Sequence, residues 1–531
     1  MRWRQTRVAV LILAMAGVLA VLLAVPGQTV ATKYINDLLI FLDGAYRVTS
    51  GQIPHRDFAT ALGALVYYIP AAGYVLSGSL GGAMPIGVAL LLLILAPAMA
   101  HIVSSRLQPA LALPYAAFLL LIVAVPMNLG EGVTALSFGM FYNRVGWAAL
   151  ALLLVMYVRP ERSGSRQDWL DGLSGALLIV LMLFLKVSYG VVAVAFAVLL
   201  LLDARHRRWA ALALAVTLAV GVIVEVGWGL AGAYLSDVLM AGKVSGALRG
   251  SVQKLTDTFL RNLADYVLFV LFVGLALWRT RSMRDLIFYG FCALSGLMII
   301  NQNFQTWGII TLSAAAVVAA ETLARSDLAR RDEAKAWSTS PAAYLLLLAF
   351  VLPTIVHCSI ALGLHAGLAS TRRSGDFALP NLDRIRLVDL WTTGDHNFFA
   401  TYAATLQDGA HALGNLDSRP GPVVVLDFVN PYSAGLGLPP PTGDSSWHHF
   451  GRTFDLTHYP PVEKVFGNAR LVMEPKWPVE RSTYDGLREV YGAHLADQFE
   501  LVQETEHWKI YRARDLEADQ LAQSPETTTE R

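Results

Sequence analysis

Apolar residues in this chain are gathered into long blocks, without the alternation of a half-buried strand or the three-to-four spacing of an amphipathic helix. The first block covers 8–25, behind Arg2, Arg4 and Arg7. It is longer than the roughly 7–15 residues of a signal-peptide core, and Val25-Pro26-Gly27 is a poor cleavage site. It is therefore expected to remain as a first membrane helix with its N-terminus in the cytoplasm. Further blocks at 83–104, 110–125, 145–158, 173–185, 191–202, 209–230, 266–278, 286–300, 309–320 and 342–364 predict further spans. Several are shorter than the roughly 20 residues needed to cross hydrocarbon, so their helices are expected to extend into the flanking sequence. Segment 62–77 is short, contains Pro70 and carries Tyr67, Tyr68 and Tyr74, as suits an interfacial helix that does not cross.

Arginine and lysine set the orientation. The loops 159–166, 203–208, 279–284 and 325–335 are basic, and the positive-inside rule assigns them to the cytoplasmic face. Each adjacent pair of these loops encloses two helices. The count gives about eleven crossings, N-terminus in and C-terminus out. The expected fold is an α-helical polytopic membrane protein with a C-terminal α/β soluble domain. Its parts are a first membrane helix (1–25), a first outer loop with juxtamembrane helices (26–82), a helix bundle (83–364), an outer domain (365–515) and a disordered tail (516–531). The outer domain carries a buried strand at 423–426, helical patterns at 397–413 and 484–499, and a hairpin of 499–502 and 508–511.

Composition agrees with a membrane protein. The 531 residues are 55% hydrophobic and 15% charged, against roughly 45–50% and about 25% in an average soluble chain. A net charge of +1 gives no field that would draw nucleic acid. Cys292 and Cys358 both lie inside apolar blocks and make neither a disulfide framework nor a thiolate metal site. No Walker-type glycine loop, nucleotide-sugar fingerprint or serine-hydrolase elbow occurs.

Candidate chemistry lies in the outer loops. In the first of them, Leu39, Leu42, Tyr46 and Thr49 recur at helical spacing, so Asp37 opens a short helix and Gly51 closes it. Arg56-Asp57-Phe58 follow, then Gly63, Leu65 and Tyr67. An acid after the first helix, then Gly-x-x-Pro-x-Arg-Asp-Phe, then a Gly-x-Leu-x-Tyr helix, resembles the first outer loop of the GT-C superfamily. These are lipid-phosphate-dependent membrane glycosyltransferases, among them protein mannosyltransferases and bacterial aminoarabinose transferases. The resemblance is strongest over about 37–78 and continues as architecture over the remaining helices.

The resemblance implies that a sugar leaves a polyprenyl phosphate for a hydroxyl of an envelope glycan, lipid or protein on the outer face of the inner (plasma) membrane. Attack by a hydroxyl needs a base, and Asp37 is the first choice, with Asp57 second as base or support. The leaving phosphate needs cations, for which Arg56, Arg144 and Lys186 are placed on the outer side, with Tyr189 beside Lys186. Glu225 interrupts an apolar block and either lines a lipid groove or bonds a neighbouring helix. Asn301 and Asn303 lie in a polar turn (301–307) able to meet sugar hydroxyls. Many superfamily members pair two acids where this chain has Asp37-Leu38, so a divalent metal is left open, no metal ligand is assigned and no cofactor is certain. His448, His449 and His458 near Asp444 lack metal-ligand helix spacing and read as a polar loop. Two other classes remain: a transporter or flippase of lipid-linked sugars, and a non-catalytic envelope polysaccharide assembly factor. No internal repeat supports the first.

Overall fold

The computed structural model describes residues 2–245, 252–303, 305, 307–329, 340–371, 377, 379–416 and 420–514. The expected tail, the second half of the 325–335 loop, and Phe304 and Thr306 of the polar turn lie outside them.

The chain is mainly helical. Helix α1 (Arg2–Ala24) leads through strand β1 (Thr29–Ala31) to the two juxtamembrane helices α2 (Ile35–Thr49) and α3 (Leu65–Ser77). The bundle follows as α4 (Leu80–Arg106), α5 (Pro109–Ala124), α6 (Phe141–Val155), α7 (Ser165–Leu185) and α8 (Val187–Leu201). It continues through α9 (Arg207–Trp228), α10 (Leu230–Ser245), α11 (Val252–Arg261), α12 (Leu263–Thr280), α13 (Met283–Gln302), α14 (Ile310–Ala329) and α15 (Ser340–Ala369). Every expected span falls on one of these helices. Seven of them, in α1, α4, α7, α9, α12, α13 and α15, are long and apolar enough to cross a membrane by length and composition.

Burial separates two kinds of apolar helix. Every residue of α6 is buried, so a helix that is apolar all round forms the centre of the bundle. In α9 only Trp209, Ala210 and Ala213 are buried, and Leu218 is 70% exposed. An apolar face with no protein against it suits lipid. Local sequence sets the ends: Gly78, in the left-handed region at φ 66°, closes α3, and the Ser79 side chain accepts from Gly81 N to start α4.

Beyond α15, strand β2 (Ile385–Leu387) pairs in parallel with β1, which ties the C-terminal region to the base of the first outer loop. After helix α16 (Thr393–Gly414), a four-stranded sheet is laid out in the order β3-β4-β6-β5. Strand β3 (Val423–Val425) pairs in parallel with β4 (Leu471–Pro475). The hairpin of β5 (Phe499–Glu504) and β6 (Trp508–Ala513) joins β4 antiparallel through β6. Short helices α17 (Tyr432–Leu436) and α18 (Val462–Phe466) lie between β3 and β4, and α19 (Arg481–Gln498) precedes the hairpin. Leu426, Val472, Leu487, Tyr491 and Phe499 close one core of this domain.

Candidate active site

The first turn of α2 carries Asp37, where the helix dipole favours an acid. Tyr34 starts the helix in the left-handed region at φ 57°, and its hydroxyl donates to Glu131 Oε1 at 2.6 Å. Gly139 closes over this corner: a Cβ there would lie 3.3 Å from Asp37 Cβ and 3.1 Å from Tyr34 Cβ. Among the described residues the Asp37 carboxyl makes neither a hydrogen bond nor an ion pair. Burial pushes it up to about 7, with the Arg452 guanidinium opposing that rise and Glu480 adding to it.

Lys186 stands at the junction of α7 and α8. Its Nζ donates to Asn143 Oδ1 at 3.0 Å and to Asn303 Oδ1. It sits 5.3 Å from the Tyr142 ring centre and 6.0 Å from that of Tyr189. Asn303 Nδ2 donates onward to the Tyr189 hydroxyl at 3.2 Å. Two amides and two rings, from α6, α8 and the turn after α13, hold the lysine in a fixed orientation. The Tyr142 ring links this group to α2, packing edge-on against Phe41 at 6.1 Å, one helical turn beyond Asp37.

The C-terminal domain supplies the third part. A tight turn in which Arg452 N and Thr453 N both donate to His449 O, at 3.0 and 2.9 Å, presents Arg452 to the bundle. Its positive charge acts on Asp37, Tyr142 and Lys186. Among the described residues its guanidinium makes no hydrogen bond or ion pair. Glu480, 3.8 Å from His449, brings an acid to the same side.

The other expected residues have different surroundings. Asp57 Oδ2 accepts from Ile53 N at 2.7 Å, and Arg56 pairs with Asp57 at 3.0 Å while staying 49% exposed. That partner and hydrogen bonds from Arg56 and Ile53 hold the Asp57 carboxyl below the usual range, against the opposing pull of burial. Arg144 is buried and donates to Asn128 Oδ1 and to the Gly139 carbonyl, behind the Asp37 corner. Glu225 is exposed and accepts from Ala231 N at 2.7 Å, capping the start of α10. The Asn301 carbonyl accepts from Lys254 Nζ at 3.0 Å. Thus Tyr142 is the link between Asp37, whose charge acts on it, and the group of Lys186, Tyr189 and Asn303, while Arg56, Asp57 and Glu225 have partners elsewhere. Tyr142, Asn143, Glu480 and Arg452 had not been singled out from the sequence. Arg452 sits four residues past His448, in a loop that reads as polar surface.

The loop motif explains how the pieces meet. Gly44 lies under Tyr67, whose ring carbon a Cβ would approach to 2.0 Å. The Tyr67 hydroxyl is 2.5 Å from Thr60 Oγ1 and 2.7 Å from Ser446 Oγ, so it joins the first loop to the C-terminal domain. Phe58 packs between Tyr67 and Arg47.

Among the described residues no three His, Cys, Asp or Glu side chains gather as a metal site needs. His448 meets Asp444, His449 meets Glu480 and His458 meets Asp455, each in its own pair.

No family model and no curated protein matches the chain. Solved structures are similar to it. The aminoarabinose transferase ArnT from Cupriavidus metallidurans in the apo state aligns over 94% of this chain and 97% of its own, at 12% identity and TM-score 0.48. The same protein bound to undecaprenyl phosphate gives the same coverage at 13% identity and TM-score 0.44. An oligosaccharyltransferase from Archaeoglobus fulgidus in complex with zinc and sulfate aligns over 94% of this chain and 73% of its own, at 13% identity and TM-score 0.35. At such identities a shared arrangement of helices does not say which group moves or to what.

Proposed function

We propose that this chain is a membrane glycosyltransferase that moves a sugar from a polyprenyl-phosphate donor to a hydroxyl of a glycan, lipid or protein on the outer face of the plasma membrane. It lies N-terminus in and C-terminus out, with about eleven crossings and the C-terminal domain over the outer face. The observation that carries the reading is that, among the described residues, neither the Asp37 carboxyl nor the Arg452 guanidinium makes a hydrogen bond or ion pair, while the charge of Arg452 acts on both Asp37 and Lys186. Leaving a charge without a partner costs stability, and active sites are where such groups persist.

The roles follow from the charges. The acceptor oxygen attacks the anomeric carbon and its proton passes to Asp37, whose rise to about 7 poises it as a base at neutral pH. The bond from the anomeric carbon to the phosphate oxygen breaks, and polyprenyl phosphate leaves with the electron pair. Arg452 offers a planar fork to that phosphate and Lys186 a point charge. Asp57, engaged with Ile53 N and Arg56, braces the loop.

The test compares wild type with Asp37→Asn, Arg452→Gln and Lys186→Met in membranes given radiolabelled polyprenyl-phosphate sugars, at equal abundance of folded protein. Each substitution is expected to lower transfer, Asp37→Asn by roughly 10²-fold or more. Undiminished transfer by Asp37→Asn removes it from the chemistry. Absence of transfer by wild type across several donors favours a carrier of lipid-linked sugars.

A further inference from the structure

The helix that carries Asp37 and the loop that carries Arg452 are joined a second time, behind the site, by charges that the proposed transfer does not use. Arg47 lies on α2. Its Nε is 2.7 Å from Asp43 Oδ2 and its Nη2 is 3.3 Å from Asp444 Oδ2. Its Nη1 donates to the carbonyl oxygens of Pro441 at 3.0 Å and Gly443 at 3.2 Å. The other oxygen of Asp444 is 2.9 Å from His448 Nε2. The side chains of Asp43, Arg47, Asp444 and His448 are 0%, 0%, 1% and 6% exposed.

Stability alone is a weak reason for such a cluster. Buried ion pairs are often replaced by apolar side chains without loss, and their best-attested use is to fix a register between elements. Asp444 also holds a left-handed backbone at φ 64°, a conformation uncommon outside glycine that persists where its surroundings impose it. Both ends of the cluster lead to the site. At one end α2 runs back to Asp37, and at the other His448 enters the turn that presents Arg452. A planar guanidinium that bonds two carboxylates and two carbonyls at once fixes angles as well as distance.

We propose that Arg47, clamped between Asp43 and Asp444, is a positioning residue that sets Arg452 of the C-terminal domain against Asp37 of the first outer loop. The inference rests on the reading of Asp37 and Arg452 given above. The test is a double-mutant cycle on the purified full chain in lipid nanodiscs, with transfer and melting temperature measured for each protein. Arg47→Lys keeps a cation but cannot reach all four acceptors, and Arg47→Met removes the charge. Each is expected to lower transfer by roughly 10²-fold, the order that a misplacement of about 1 Å produces. In an Arg452→Gln background, either substitution then lowers transfer less than about threefold further, because the group it positions is already gone. Losses that multiply in the double variants overturn the proposal, as does an Arg47→Lys protein that transfers like wild type. An Arg452→Gln protein with undiminished transfer instead overturns the role given to Arg452, and the inference falls with it.

Discussion

Gly63 N donates to the Leu185 carbonyl at 3.1 Å, so the first outer loop rests on the residue that precedes Lys186. A Cβ on Gly63 would stand 2.1 Å from the Phe184 carbonyl oxygen and 2.3 Å from its carbon, and backbone atoms cannot rotate aside. Gly63→Ala is therefore expected to part the loop from the α7–α8 junction and to lower transfer about 10-fold or more at unchanged abundance. Gly221→Ala, in α9 with nothing within 4 Å of the added methyl, is the control and should transfer like wild type. Equal activity of both variants would mean that this contact does not position Lys186.

Transfer should depend on pH through Asp37. The base is the ionised form, and burial sets its titration at about 7, so kcat/KM is expected to rise as pH increases through 7 and then to level. Arg452 and Glu480 from the C-terminal domain act on it, and Tyr34 and Tyr142 stand on the bundle side. Arg452 favours the ionised form, so Arg452→Gln should move the acidic limb to higher pH. Asp37→Asn should remove that limb and leave a low rate across the range. A limb near 4 in wild type would point to an ordinary exposed carboxylate.

Arg56 should matter little to the transfer step. Half exposed and paired with its neighbour Asp57, it makes a contact of the kind that solvent screens. Arg56→Gln is expected to keep transfer within about threefold of wild type. A large loss with a raised donor KM would instead place Arg56 on the donor phosphate.

The membrane helices were legible because their signal is local: a block of apolar residues has few other uses, and basic loops mark its ends. Asp37 was legible because an acid just after a span stands at the membrane surface whatever the fold does. Lys186 and Arg144 look alike from sequence, each a cation at the outer end of an apolar block. Only packing shows that Lys186 meets Tyr142 while Arg144 turns inward to Asn128 and Gly139. Arg452 was not legible. The placement of its loop involves parallel pairing of β1 with β2 and the Arg47–Asp444 ion pair, contacts between stretches of chain far apart in sequence. The local partners of Asp57 were not legible either, since the Arg-Asp-Phe pattern gives no sign that the carboxylate accepts from Ile53 N.

The Lys186 cluster allows binding to be separated from chemistry. Among the described residues its Nζ has accepting partners in Asn143 and Asn303 but no carboxylate, so a phosphate arriving there meets an oriented ammonium that no acid neutralises. A hydrogen bond to a charged group is worth about 1.5–3 kcal/mol, which corresponds to roughly 10- to 150-fold in affinity. Lys186→Met should therefore weaken binding of polyprenyl phosphate by that factor, measured by titration in detergent. Asn303→Ala keeps the charge but releases its orientation and frees the Tyr189 hydroxyl, and should weaken binding less. Asp37→Asn should leave the same affinity within a few-fold while transfer falls. If Lys186→Met binds polyprenyl phosphate as wild type does, the lysine serves the packing of α6, α8 and the 301–307 turn, and the phosphate must be sought at Arg452 alone.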